Sequence, residues 1–101
     1  MAKDLSLSAL LDVYGAFLSS KQREIMSHYL NEDLSLAEIA ENEGTTRQAV
    51  SDIIRRSEIQ LKKYESTCGY YSKIAEIKRI CGSDVPPQEK IEKISEIADE
   101  F

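Results

Sequence analysis

Tryptophan is absent from this 101-residue chain; histidine occurs once, cysteine and proline twice each, and glycine four times. A single histidine, His28, leaves no His-rich ligand or base set. It stands beside Tyr29 in a helical stretch, where packing or a surface position outweighs acid–base work. Cys68 and Cys81, thirteen residues apart, have no CxxC spacing and no histidine partners, so a zinc site is not supported. They read as two reduced thiols of a cytosolic protein. No apolar run approaches the length of a membrane span, and the first residues lack a signal-peptide pattern, so a cytoplasmic protein is expected. There is no P-loop, dinucleotide fingerprint or nucleophile elbow. Glu41 and Glu43 read as a solvated face rather than paired catalytic carboxylates. No catalytic residue, metal or cofactor is assigned, and the chain is not expected to be an enzyme.

What remains is a helix-forming alphabet of Leu, Ile, Glu, Lys and Ala, in a length suited to one modest core. Thirteen Lys and Arg stand against 18 Asp and Glu, a formal charge of −5, which disfavours contact with nucleic acid. Leu7, Leu10, Leu11, Tyr14, Phe17 and Leu18 form one helical stripe. Gly15 falls outside it, either to admit a neighbouring backbone or as a tolerated surface glycine. Ser19 and Gln22 have capping-box spacing and open a second helix that buries Ile25, Met26, Tyr29 and Leu30. Asn31-Glu-Asp33 is a turn.

The most specific block is Ser35 to Ile54. Ser35 and Glu38 form another capping box, with Ile39 and Ala40 facing inward. Gly44 suits the left-handed residue that ends a helix sharply. Thr45 or Thr46 caps a further helix that buries Val50, Ile53 and Ile54 and runs on through Ser57, Leu61 and Tyr64, projecting from the compact part. This is a helix-turn-helix, whose second helix is presented outward. Glu43 and Thr45 take places where the motif is usually apolar, which points to a looser turn or another segment packing there. Cys68-Gly69 breaks the chain. Tyr70 to Cys81 is a helix with Ile74, Ile77 and Ile80 inward, Gly82 to Pro87 a linker, and Ile91, Ile94, Ile97, Ala98 and Phe101 a last helical stripe. The expected fold is all-α with about six helices: a helix-turn-helix domain over residues 1–66 and a C-terminal helical extension over 67–101, packed on it or on a partner chain.

In such a motif the start of the second helix reaches base edges and its flanks touch phosphates. The candidate nucleic-acid-binding residues are Thr46, Arg47, Gln48 and Ser51, with Arg55 and Arg56 in the basic stretch behind them. Arg pairs with guanine and Gln with adenine through two hydrogen bonds each. From Arg47 to Lys63 there are five basic residues and two acidic ones, inside a net acidic chain. A long exposed helix also carries such charges simply as salt-bridge partners, and Asp52 brings the wrong sign among the contact positions.

Leu18 to Leu61 resembles region 4 of bacterial sigma factors through Gln22-Arg23-Glu24, Tyr29-Leu30, Ser35-x-x-Glu38-Ile39-Ala40 and Arg47-x-x-Val50. Together with Leu11-Asp12-x-Tyr14, Lys21-Gln22-Arg23, Tyr29-Leu-x-Glu-Asp-x-Ser-Leu-x-Glu-Ile-Ala40 and Thr46-Arg-Gln-Ala-Val50, the chain over residues 5 to 65 resembles the YlxM family of small bacterial proteins. That resemblance implies a cytosolic, non-enzymatic regulatory partner of the signal recognition particle, acting through its RNA or its GTPase. The alternatives are a DNA-binding transcription regulator and a protein–protein adaptor that keeps the motif as a scaffold. A homodimer is expected, with Leu7, Leu10, Leu11, Tyr14 and the helix at Ile91 to Phe101 as its interface.

Overall fold

A computed structural model describes Asp4 and residues 6–101. Its α-helices are α1 (Ser6–Tyr14), α2 (Ser20–Leu30), α3 (Leu36–Glu43), α4 (Arg47–Cys68), α5 (Tyr70–Cys81) and α6 (Pro87–Ala98), with a 3-10 turn at Gly15–Phe17. No strand is present among the described residues.

Each boundary has a chemical cause. Both capping boxes form: Ser19 accepts from the Gln22 amide and Ser35 from the Glu38 amide, and the Gln and Glu side chains accept from the cap residues in return. Gly44 (φ 66°) ends α3 and Gly69 (φ 67°) ends α4, both left-handed. Pro87 opens α6, where its missing N–H costs nothing.

The central element is α4. It packs against α1, α2, α3 and α5, so it is the spine of the fold and does not project from it. Val50, Ile54, Ser57 and Leu61 bury its inner face. The Ser57 hydroxyl, buried in the core, donates to the Ile53 carbonyl at 2.7 Å and is thereby satisfied. Against this face lie Leu7, Leu10, Leu11, Tyr14 and Leu18, then Ile25, Met26 and Tyr29, then Ile39 and Ala40. Since Leu7, Leu10, Leu11 and Tyr14 are buried within the chain, they cannot form the expected dimer interface.

The first stripe is cut short. Helix α1 stops at Tyr14 and tightens into the 3-10 turn, after which Leu18 is extended (φ −82°, ψ 158°) and returns to the core. Residues i and i+3 eclipse in a 3-10 turn. Phe17 therefore lies beside the Tyr14 ring, centroids 6.5 Å apart, and is 65% exposed rather than inward. Gly15 is buried, and a Cβ there would meet the side chains of Leu11 and Arg23, not a backbone; neither expectation for it holds.

At the α4–α5 junction the Glu65 carboxylate accepts from the Tyr14 hydroxyl (2.6 Å), the Tyr71 amide (2.9 Å), the Ser72 amide (3.2 Å) and the Ser72 hydroxyl (2.7 Å). The Tyr14 hydroxyl in turn accepts from the Tyr70 amide at 3.0 Å. One carboxylate thus caps α5 and ties it to α1 and α4. Helix α6 packs mainly on α5 and contains no fully buried residue. Of α5's expected inward residues only Ile80 is fully buried. The molecule is elongated, 54 × 24 × 21 Å. Both cysteines are free thiols. Residues 1–3 and 5 of the expected 1–66 domain lie outside the described residues. The 66/67 division itself falls inside α4, which continues to Cys68.

Candidate nucleic-acid interface

The turn between α3 and α4 is tight. The Gly44 amide donates to the Ala40 and Glu41 carbonyls, and the Thr45 amide to the Ala40 carbonyl at 3.0 Å. The unusual Glu43 does not loosen it. Its side chain is only 11% exposed and pairs with Lys21 of α2 at 3.4 Å, so it is not part of a solvated face. A salt bridge between helices takes the place of an apolar contact. Nothing in the order of residues marks Lys21 as its partner; the α2–α3 packing brings the two together.

Thr46 is the N-cap of α4: its hydroxyl accepts from the Ala49 amide at 3.1 Å. That bond fixes where the following residues point. Thr46, Arg47, Gln48 and Ser51 line one open groove of about 520 Å³, closed on its other side by Leu36 of α3. Four candidate residues are therefore brought together, with Leu36 as an apolar wall that the charge pattern did not reveal. Arg47 and Gln48 are exposed and Ser51 half-buried.

Asp52 organises the neighbouring turn. It accepts from the Gln48 amide group at 3.1 Å and pairs with Arg55 at 3.5 Å. The carboxylate of apparently wrong sign therefore holds two candidate contacts in place. Arg55 borders an adjacent depression with Ser51, Ile54 and Glu58. Arg56 does not join this group. It faces the start of α2, beside Ser19, Lys21, Gln22 and Ile53. The reason is the helical period: nine residues after Arg47 the side chain has turned to the opposite flank.

Behind α3, His28 sits between carboxylates, with Nδ1 on Glu32 and Nε2 3.8 Å from Glu24. The Glu32 hydrogen bond raises its pKa above the ordinary histidine value; burial works against this, and the charges of Glu32, Glu24 and Glu43 add to it. Glu24, His28 and Glu43 bring ligand atoms within 4.8 Å of one another, a grouping that a cation can join. Lys21 already supplies positive charge there.

The arrangement defines an all-α helix-turn-helix protein with an exposed, polar start to its second helix. A family model described as "Putative helix-turn-helix protein, YlxM / p13 like" matches residues 1–101, and the chain belongs to that family, UPF0122. A UPF0122 protein of Clostridium kluyveri is 54% identical over 65 residues, 64% of this chain and 59% of the relative. One from Symbiobacterium thermophilum is 49% identical over 69 residues, 67% of this chain and 64% of the relative. One from Shouchella clausii is 40% identical over 89 residues, 81% of this chain and 82% of the relative. The chain thus spans less than two thirds of the first two. Among the described residues no helix is long and apolar enough to cross a membrane.

Proposed function

We propose that this chain is a non-enzymatic regulatory protein that binds duplex DNA through the start of α4, and that, as its likeness to the YlxM family implies, the process it regulates is the signal recognition particle pathway. The observation that carries the DNA reading is the grouping of Thr46, Arg47, Gln48 and Ser51 in one exposed groove beside the tight turn. The major groove of B-DNA is about 12 Å wide and admits a helix, whereas that of A-form RNA is too narrow. DNA is therefore favoured over the particle's RNA as the ligand of this face. Arg55 supplies phosphate contact beside the readers and Arg56, with Lys21, on the far flank. In a chain of net charge −5, the basic excess on α4 is the part able to offset phosphate repulsion. Residues 1–66 hold the binding unit on this reading, 67–101 extend it, and its place of action is the cytoplasm.

Fluorescence anisotropy with duplex fragments of the source genome, across a salt series, tests this. Affinity should fall steeply with salt, because bound counterions are released. Arg47→Ala and Gln48→Ala should each cost about 1–3 kcal/mol of binding per lost two-bond base contact, with unchanged melting temperature. A folded double variant that keeps full affinity removes this helix from recognition. Binding confined to the particle's RNA or its GTPase, measured alongside, overturns the DNA reading in favour of those partners.

A further inference from the structure

The groove at the start of α4 has one polar wall and one apolar wall. Thr46, Arg47, Gln48 and Ser51 come from the cap and first turns of α4, and Leu36 comes from α3. Leu36 is the first residue of α3 and is half-buried: it packs against the core and still faces the groove. Caps hold both walls in place. The Ser35 hydroxyl accepts from the Glu38 amide and the Glu38 carboxylate from the Ser35 amide, each at 3.1 Å, which fixes the turn that carries Leu36. The Thr46 cap does the same for the start of α4. Little ordering is then left to be done when a ligand arrives. The Gln48 side chain is oriented as well. Its Nε2 donates to Asp52 Oδ1 at 3.1 Å. A carboxylate only accepts, so the NH2 end of the amide is turned to Asp52, and that group carries two N–H donors. One N–H and the carbonyl oxygen stay free, which is the donor–acceptor pair that adenine N7 and N6 require.

Resting on the duplex-DNA reading above, we propose that this groove reads an A·T base pair and that Leu36 determines specificity by contacting the 5-methyl group of the thymine. The edges of the base pairs in the major groove are hydrogen-bond donors and acceptors, with one apolar exception, the thymine methyl. A leucine pressed against a donor or acceptor strips it of water and offers it no partner, which is costly. Pressed against the methyl group, both partners remove apolar surface from water. Leu36 therefore favours thymine and disfavours cytosine, which presents an amino donor in the same groove. Gln48 points to the same base pair from the other wall, since the partner of the adenine it suits is thymine. Uracil lacks the methyl group, so this contact also separates DNA from RNA of equal sequence.

Deoxyuridine substitution tests this. The tightest-binding duplex that the full chain selects from a randomised library is resynthesised with each thymine replaced in turn by deoxyuridine, which removes the methyl group alone. Fluorescence anisotropy then gives the affinities. At one thymine the loss should be roughly fourfold, the worth of one buried methyl-sized group. Leu36→Ala should bind the unmodified duplex more weakly and should no longer distinguish thymine from deoxyuridine at that position. Leu36 also packs against the core, so circular dichroism checks the fold of the variant, while the deoxyuridine series on the wild-type chain needs no variant. A selected duplex that keeps full affinity through every replacement overturns the thymine contact and leaves the DNA reading standing. Unchanged methyl sensitivity in folded Leu36→Ala overturns the assignment to Leu36. A library from which no duplex is retained overturns the DNA reading, and the thymine contact with it.

Discussion

Replacing Glu65 by Ala should detach α5 from the core. The carboxylate accepts four hydrogen bonds, two from the first amides of α5, one from the Ser72 hydroxyl and one from the Tyr14 hydroxyl. Losing the helix cap costs about 1 kcal/mol. Leaving the buried Tyr14 hydroxyl without its acceptor adds about 1–3 kcal/mol. The expected loss is therefore about 2–4 kcal/mol, or on the order of 10 °C in melting temperature for a domain of this size. Tyr14→Phe removes one of the same bonds, so the double variant Tyr14→Phe/Glu65→Ala should cost less than the sum of the two single variants. Thermal and urea melts give the magnitudes, and amide exchange over Tyr70 to Cys81 shows whether α5 opens locally. The junction also sets a pH dependence. Burial opposes the charged form of Glu65, but its hydrogen bonds outweigh this and hold the carboxyl below the usual glutamate range. Its contribution is therefore present above the unfolded pKa of about 4.3 and is lost as pH falls through the lower folded value. Glu65→Gln should flatten that acid limb. A melting temperature within error of wild type for Glu65→Ala, with α5 equally protected from exchange, would refute the view that this carboxylate seats α5.

Gly44→Ala should destabilise the protein by about 1–2 kcal/mol in a urea melt, purely through the backbone, since φ is 66° and a Cβ there meets nothing within 4 Å; Gly44→Asn should cost less. Ala40→Leu should cost about 1–3 kcal/mol by overpacking a buried position of the α3 face, read as a lower melting temperature. His28, with its pKa raised, stabilises the fold fully below the ordinary histidine value of about 6.5, and that contribution disappears as pH rises through the raised value. Melting temperatures across neutral pH should therefore decline more in wild type than in His28→Gln.

The order of residues by itself determined the local structure. Both capping boxes, the left-handed Gly44 and Pro87 at the start of α6 depend on neighbours within a few positions and are found as the spacing predicts; of Thr45 and Thr46 the structure selects Thr46 as the cap, and the break expected at Cys68-Gly69 is a left-handed Gly69. Helical periodicity also placed most of the core, because Leu7, Ile25, Ile39, Val50 and Leu61 each repeat on one face of their own helix. The family followed from the same strings. Tertiary structure decided what distant segments do to one another. Phe17 left its stripe because α1 tightened at Gly15, a change of helical pitch that residue spacing does not register. Glu43 became a nearly buried partner of Lys21 only because α2 and α3 pack together. Glu65 reads locally as one more charge on a polar helix. It caps the next helix only because the turn at Gly69 swings α5 back over its carboxylate and α1 brings Tyr14 within 2.6 Å.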